Sequence, residues 1–282
     1  MNVRKAVITV GSPSQRHLPY QTLIDADGER KAVLQVIVEH AFRASMDEVA
    51  LVVPPGEADG LAKVAGDHSD KLVFIKQHDP RGYGHAISLA REFTDGDPFL
   101  HMVGDHLWVT VDKDQGCAAR LVQAACEQGC SISAVKETRE HLLPDFGAVG
   151  GRCLAGFQDL YEIETVLEKP TPTVAEQELS VPGIRAGYYL CFFGMHVLTP
   201  LVLEMLDSML EDEEARPSLS EALNKLAERE KYLAMVMPDQ RYDVGEKYGL
   251  LTAQLDISLN GNDREEVLTR IAGLLATRQI GS

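Results

Sequence analysis

Short apolar runs alternate in the first hundred residues with segments whose apolar positions recur at helical spacing. The runs are rich in β-branched residues, as strands are, and occupy residues 6–10, 48–53, 72–76 and 99–103. Helical spacing is found at residues 31–44, 58–65 and 85–93. Short connections between strands and helices in this order predict a doubly wound α/β sheet with parallel strands.

The second half of the chain mixes further strands with paired helices. Strands are predicted at residues 131–136, 148–150, 165–168, 186–193 and 232–237, and helices at 200–210, 218–230, 248–255 and 264–277, with a polar turn at 239–245. We interpret the middle strands as a small β-sheet inserted beside a central, mostly parallel mixed sheet flanked by helices. No linker or repeat divides residues 1–282, which we expect to form one domain, and residues 248–282 are a plausible oligomerisation element.

Composition excludes several classes of partner. The 282 residues carry 27 Lys and Arg against 43 Asp and Glu, a formal charge of −16, so the field of the protein repels nucleic acid and anionic membranes. Five cysteines without paired C-x-x-C spacing indicate reduced, packed thiols. The first apolar run is too short for a membrane span and lacks a cleavage pattern. We expect a cytoplasmic protein that binds small molecules.

Polar residues follow two of the predicted strands where open α/β sheets place ligands. The loop VGSPSQRHLP follows the first strand, with Gly11 and Ser12 as backbone contacts for phosphate and Arg16 as a cation. The segment IKQHDPRGYGHA offers Gln77 to read a base edge and Gly82 for close backbone approach. Taken alone, the second segment could equally be a glycine turn that caps a helix.

Two further segments carry charged residues at strand ends. Asp105 follows a strand and Asp243 stands in RYDVGEK, and two such carboxylates could hold Mg²⁺ or could be ordinary turn residues. In TVLEKP, Glu168 could accept hydrogen bonds from sugar hydroxyls and Lys169 could meet a phosphate, or both could mark an exposed strand end.

The order of these elements resembles the bacterial UTP:glucose-1-phosphate uridylyltransferases from Ala6 to about Leu255. The family's V-A-G-x-G-T-R-x-L-P corresponds to VGSPSQRHLP, and its Q-G-x-x-x-G-L-G-H-A to QHDPRGYGHA. Its strand-end metal aspartate falls on Asp105, its Y-G-V-V on FGAV, its V-E-K-P on LEKP and its D-x-G-x-K on DVGEK. A glycine before a sugar-facing strand falls on Gly187. The resemblance implies a Rossmann-like nucleotide-diphospho-sugar transferase fold.

The resemblance also implies roles for individual residues. Gln77 and the Gly82 backbone would bind uracil, Asp105 and Asp243 would hold Mg²⁺, and Arg16 and Lys169 would neutralise phosphate charge. The residues that would face the sugar 1-phosphate are Gly147, Glu168, Lys169 and Gly187. The implied reaction joins UTP to a sugar 1-phosphate, most simply glucose 1-phosphate, with release of pyrophosphate. Relatives are commonly oligomers, so we expect a homo-oligomer.

The sequence departs from this family in its first loop. Two family glycines are replaced by Ser12 and Ser14, and the P-K-E-M-L-P segment with its phosphate-binding lysine is missing, so Lys31 is a possible substitute. His78 and His106 also replace smaller or less polar residues. These departures leave open a non-catalytic homologue that binds sugar nucleotides as a sensor or partner subunit. A glycosyltransferase would need Asp-x-Asp where this chain reads GDH, and a nicotinamide dehydrogenase would need G-x-G-x-x-G after the first strand.

Overall fold

A nine-stranded mixed sheet forms the centre of the protein in the computed structural model, which describes residues 1–10, 16–110, 115–212 and 214–279. The strands are β1 (Lys5–Thr9), β2 (Thr22–Ile24), β3 (Arg30–Ala32), β4 (Glu48–Val53), β5 (Leu72–Lys76), β6 (Phe99–Val103), β7 (His106–Val109), β8 (Ser131–Arg139), β9 (Gly147–Cys153), β10 (Leu160–Glu168), β11 (Tyr188–Leu198), β12 (Tyr232–Val236) and β13 (Gln240–Asp243). The α-helices are α1 (Val33–Arg43), α2 (Ala58–Val64), α3 (Tyr83–Ser88), α4 (Arg91–Thr94), α5 (Cys117–Gln128), α6 (Pro172–Glu178), α7 (Leu201–Leu210), α8 (Leu219–Ala227), α9 (Gly249–Asn260) and α10 (Arg264–Gln279).

The strand order of the central sheet is β5-β4-β1-β6-β11-β8-β12-β10-β9. β1 lies parallel to β4 and β6, and β4 lies parallel to β5, so four strands form the doubly wound unit predicted from the alternation of strands and helices. β11 runs antiparallel to β6 and β8 and makes the sheet mixed. The first strands are apolar on both faces because helices cover both sides of the sheet.

The middle strands do not form the separate small sheet that we expected. β9 and β10 are hydrogen-bonded into one end of the central sheet, and β11 also pairs with β9. One strand can serve these partners because β11 has eleven residues and changes register between Phe192 and His196, where Gly194 has φ 82°. The small separate sheets of the described residues are the ribbons β2–β3 and β7–β13.

Local sequence patterns misplaced or missed several other elements. The predicted polar turn at 239–245 contains β13, and α5 was missed although its buried Cys117, Leu121 and Ala125 recur every four residues. The helix expected at 85–93 is divided into α3 and α4. β7 is only four residues long and depends on pairing with β13, which lies far away in sequence.

Apolar side chains pack on both faces of the sheet. One cluster joins Ile8 and Leu51 to α1 and α5, and the other joins Val7 and Phe99 to α7 and α8. These two layers fix the carboxyl ends of β1, β4 and β6 at one edge, which is where the functional residues lie. In the described residues, no helix is both long enough and apolar enough to span a membrane.

A histidine lies within the second layer at the centre of the sheet. His101 on β6 is fully buried, and its Nδ1 is 3.0 Å from the carbonyl oxygen of Val7 while its Nε2 is 2.5 Å from the hydroxyl of Tyr83. Because a carbonyl can only accept, Nδ1 carries the proton and Nε2 accepts from Tyr83. Burial lowers the pKa of His101 to about 4, and burial also lowers the pKa of His40 to about 4.

We expect the free energy of unfolding to fall as the pH drops from about 6.5 toward 4. In this window His101 binds a proton in the unfolded chain but stays neutral in the folded protein. It therefore lowers the free energy of unfolding by up to about 1.4 kcal/mol for each pH unit. Urea unfolding measured across this range should show a shallower pH dependence for His101→Gln. The control is His141→Gln at an exposed position. Equal slopes for wild type and His101→Gln would contradict the assignment.

Candidate functional site

A cavity of about 680 Å³ opens at the carboxyl ends of β1, β4 and β6. Its floor is formed by residues at or just after these strands, including Thr9, Val52 and Asp105. One wall is the segment between β5 and α3, which contributes Gln77, His78, Pro80 and Gly82. This is the position at which open α/β sheets bind ligands, because the strand ends leave a crevice there.

Gln77 is fixed in the cavity wall by one hydrogen bond from its backbone and one from its side chain. The backbone N–H of Gln77 donates to the carbonyl of Val53 at 2.9 Å, and its side-chain Nε2 donates to the carbonyl of Gly82 at 3.2 Å. Gly82 has φ 101°, a conformation that glycine adopts without strain, and stands immediately before α3. The predicted base-reading pair therefore lies together on the cavity wall.

The predicted phosphate loop is only partly described. Arg16 is exposed and lines the same cavity as Gln77. Gly11 and Ser12, which we expect to contact phosphate through their backbone, lie outside the described residues. Arg16 thus provides the one cationic side chain that the described part of the chain contributes to the lining of this cavity.

Two carboxylates from distant parts of the chain meet at one edge of the cavity. One ligand atom each from Asp105, His106 and Asp243 all lie within 4.8 Å of one another. The ribbon β7–β13 brings them together, because its register pairs Asp243 with His106. The backbone also contributes, since the N–H of Val244 donates to the carbonyl of Asp105 at 2.9 Å.

The surroundings of Asp105 favour its charged form. Burial alone would raise the pKa of Asp105, but a 2.7 Å contact with Nδ1 of His106 and the positive charge of Arg241 leave that pKa below its ordinary value. The backbone N–H of Gly245 donates to Oδ1 of Asp243 at 2.7 Å. Two ionised carboxylates at this spacing are hard oxygen donors and fit a divalent cation such as Mg²⁺. The site predicted from Asp105 and Asp243 is therefore chemically consistent with a metal ion.

Arg241 belongs to the same site, although the sequence analysis assigned it no role. Its guanidinium carbon lies 3.9 Å from the centre of the Phe146 ring, and Nη1 donates to the carbonyl of Phe192. Arg241 precedes Asp243 by two residues on β13, so both side chains emerge from the same face of the ribbon. The sequence RYDVGEK shows that an arginine precedes Asp243 by two residues. Only the pairing of β13 with β7 shows that this stretch is a strand, in which both side chains share a face.

The predicted sugar side lies where β9 and β10 pair. Their register places Glu168 opposite Gly147, and Oγ of Ser220 donates to Oε2 of Glu168 at 2.5 Å. A Cβ atom on residue 147 would lie 2.7 Å from both the Phe192 ring and Oγ of Ser220, so glycine is required by close packing. Ser220 is a second residue that the sequence analysis missed.

Lys169 follows Glu168 at this end of β10, whereas Gly187 lies away from Gly147, because the register pairs Leu190 with Val149 and Cys191 with Ala148. Lys169 is exposed and has φ 48°, and its backbone N–H donates to the carbonyl of Phe146 at 3.1 Å. Within the described residues, its ammonium group has no ion-pair partner. Gly187 has φ 77°, and its carbonyl accepts from the N–H of Glu140 at 3.0 Å.

Tyr83 connects the cavity with the sugar side. Its ring lines the cavity, and its hydroxyl donates to buried His101. Burial raises the pKa of Tyr83, and the negative charges of Asp105 and Glu168 raise it further. The charge of the carboxylate predicted to bind metal and the charge of the carboxylate predicted to bind sugar therefore both act on the Tyr83 hydroxyl.

The structure does not bring Lys31 to this site. Its ammonium group lies 2.8 Å from Asp25 and 2.7 Å from Glu39 and is mostly buried between them. Lys31 is part of β3 and is absent from the cavity lining. The expectation that it replaces the missing loop lysine is corrected for a physical reason, because moving it would take a mostly buried ion-pair partner away from both Asp25 and Glu39.

Comparisons with known proteins identify the family of this chain. The family model described as nucleotidyl transferase matches residues 18–259. The chain is 25% identical to UTP--glucose-1-phosphate uridylyltransferase 2 of Staphylococcus saprophyticus over 94% of this chain and 96% of that protein. It is 26% identical to the UTP--glucose-1-phosphate uridylyltransferase of Streptococcus pneumoniae over 91% of each.

Solved structures show the same fold. A crystal structure of UDP-glucose pyrophosphorylase complexed with UDP-glucose matches with a TM-score of 0.73 and 21% identity, covering 90% of this chain and 97% of that chain. The UTP-bound enzyme from Acinetobacter baumannii matches with a TM-score of 0.73 and 18% identity over 96% and 99%. Since the family model spans most of the sequence, the chain belongs to the nucleotidyl transferase family.

Proposed function

We propose that the protein transfers the uridylyl group of UTP to glucose 1-phosphate and forms UDP-glucose and pyrophosphate. The observation that carries this proposal is the carboxylate pair Asp105 and Asp243, of which Asp105 lines the same cavity as Gln77 and Gly82. The names of the relatives support the choice of UTP and glucose 1-phosphate.

The reaction requires two anions to be aligned. A phosphate oxygen of glucose 1-phosphate attacks the α-phosphorus of UTP, a new phosphorus–oxygen bond forms, and the bond to the β-phosphate oxygen breaks as pyrophosphate leaves. No covalent intermediate with the protein is needed, so catalysis rests on position and charge. We assign Arg16 to the triphosphate and Lys169 to the phosphate of the sugar, each as a cation that reduces repulsion between the substrates.

The base would be read by the side-chain amide of Gln77. Because Nε2 of Gln77 donates to the carbonyl of Gly82, Oε1 is available to accept a hydrogen bond from a base bound in the cavity. Uracil and thymine present an N–H at ring position 3, whereas cytosine presents a lone pair there. This arrangement favours UTP or dTTP over CTP.

The sugar would be held by Glu168 and by the close backbone approach at Gly147. Glu168 keeps one carboxylate oxygen bonded to Ser220, which orients the other oxygen for a sugar hydroxyl. A Mg²⁺ ion bound by Asp105 and Asp243 would supply positive charge to the phosphate oxygens. The two aspartates would orient the triphosphate relative to the sugar phosphate.

We further propose a cytoplasmic homo-oligomer. The support for the location is that UTP and sugar phosphates are metabolites of the cytoplasm. The support for association is the exposure of Leu268, Leu274 and Leu275 on α10, which packs against α9. Apolar side chains grouped in this way are typical of a contact surface. Residues 248–282 would then complete a single domain and carry its interface.

The proposed function is tested by pyrophosphate release. Purified protein with Mg²⁺ is assayed with UTP, dTTP, CTP, ATP and GTP against a panel of sugar 1-phosphates, with chelator as the control. We expect the highest rate with UTP and glucose 1-phosphate and no release with chelator. Absence of turnover with every pair, together with tight binding of UDP-glucose, would instead identify a non-catalytic binding homologue.

Replacing Asp105 by Asn should remove turnover while the fold is retained. The loss of one charged oxygen ligand is expected to lower kcat by about 10²-fold or more, because the charge that develops on the phosphates is no longer offset. Circular dichroism and thermal unfolding check the fold, and Asp47→Asn at an exposed position is the matched control. Normal activity in Asp105→Asn would refute the metal assignment.

Replacing Glu168 by Gln should weaken binding of the sugar substrate selectively. We expect KM for glucose 1-phosphate to rise about tenfold, the effect of losing a hydrogen bond to a charged group, while KM for UTP stays within about twofold. Glu164→Gln on the same strand, whose side chain is paired with Arg152, is the control. An equal rise in both KM values would place Glu168 outside the sugar subsite.

A further inference from the structure

A histidine on α3 touches the side-chain amide of Gln77. Nε2 of Gln77 lies 3.2 Å from the carbonyl oxygen of Gly82 and 3.2 Å from Nδ1 of His85. The atom facing the Gly82 carbonyl must be the amide nitrogen, because two carbonyl oxygens cannot hydrogen-bond to each other. The second hydrogen of the same NH₂ group then points to His85. Nδ1 of His85 must accept it, so the proton of the neutral ring is on Nε2.

The surroundings of His85 support this neutral form. Partial burial lowers the pKa of His85, and the positive charge of Arg81 lowers it further, whereas Asp79 acts in the opposite direction and Arg216 adds a smaller repulsion. Arg81 is fixed in place, since its Nη2 donates to the carbonyls of Leu210 at 3.0 Å and Asp212 at 2.6 Å. The charged groups that act on the ring thus come from the loop before α3 and from the segment between α7 and α8.

We propose that His85 is a positioning residue that determines base specificity, because it accepts from Gln77 and keeps Oε1 of Gln77 facing the nucleotide cavity. This inference rests on the proposed function. With both hydrogens of its amide bonded to Gly82 and His85, Gln77 offers the base only an acceptor. Uracil satisfies that acceptor with its N3–H, whereas the N3 lone pair of cytosine is repelled by it.

A protonated His85 weakens this preference. Its Nδ1–H would then face the NH₂ group of Gln77, so that two donors oppose each other, and rotation of the amide would relieve this conflict only by turning Oε1 against the carbonyl oxygen of Gly82. Rotation turns the NH₂ group toward the cavity, where cytosine can accept from it. Discrimination between UTP and CTP therefore depends on the protonation state of a residue that touches neither base.

The test compares His85→Leu with His85→Asn. Leucine removes the acceptor, whereas Oδ1 of asparagine can occupy the position of Nδ1 and restore it. For each variant and wild type, the ratio of kcat/KM for UTP to that for CTP is measured between pH 5.5 and 8, with glucose 1-phosphate as co-substrate. Ionisation of the triphosphate cancels in this ratio. Protonation of cytosine is common to all three proteins, so differences between their profiles report His85.

We expect His85→Leu to lower the ratio about three- to tenfold at pH 8, the effect of one lost hydrogen bond, and His85→Asn to restore it within about twofold. In wild type the ratio should fall as the pH is lowered, and in His85→Asn that fall should be smaller. Thermal unfolding of both variants checks that α3 is intact.

Two results would overturn the inference while leaving the proposed function in place. One is a folded His85→Leu protein whose ratio of kcat/KM for UTP to that for CTP equals that of wild type. The other is a pH dependence of this ratio that is identical in wild type and His85→Asn. Direct binding of UTP and CTP by calorimetry separates these from failure of the proposed function itself. A wild-type protein that binds neither nucleotide would overturn both.

Discussion

Two like charges held close together determine the arrangement of this site. Asp105 and Asp243 come from opposite halves of the chain, yet their ligand atoms lie within 4.8 Å of each other and of His106. Coulomb repulsion at such a distance must be offset, and the protein offsets it with the imidazole of His106, the guanidinium of Arg241 and backbone N–H groups. The ribbon β7–β13 is the element that makes this possible, because it fixes Asp243 opposite His106.

Arg241 extends this constraint to the sugar side. It lies over the Phe146 ring, next to Gly147, and donates to Phe192, whose ring leaves no room for a Cβ atom on residue 147. A planar guanidinium can stack and donate at once, which a lysine cannot do. Tyr83 makes the corresponding connection on the cavity side, since its hydroxyl is tied to buried His101. The proposed nucleotide, metal and sugar subsites are thus connected by shared side chains.

The sequence predicted those features that depend on local pattern. Strong β-branched runs gave the bounds of β4, β5 and β6, and the order of motifs brought Gln77, Gly82 and Asp105 to one cavity as expected. What it did not predict depends on contacts between distant residues. β7 is short and needs β13, and Lys31 meets Asp25 and Glu39 only after β2 and β3 have paired. Arg241 was missed for the same reason, because its strand was interpreted as a turn.

We propose that Asp105 and Asp243 bind a divalent ion beside the nucleotide. The most direct measurement is a crystal structure with UTP and Mn²⁺, in which anomalous scattering locates the metal without reference to the protein. The account predicts an anomalous peak within coordination distance of both carboxylates, with triphosphate oxygens as further ligands and uracil against Gln77. A metal peak remote from both aspartates, with the nucleotide nevertheless bound in the cavity, would contradict it.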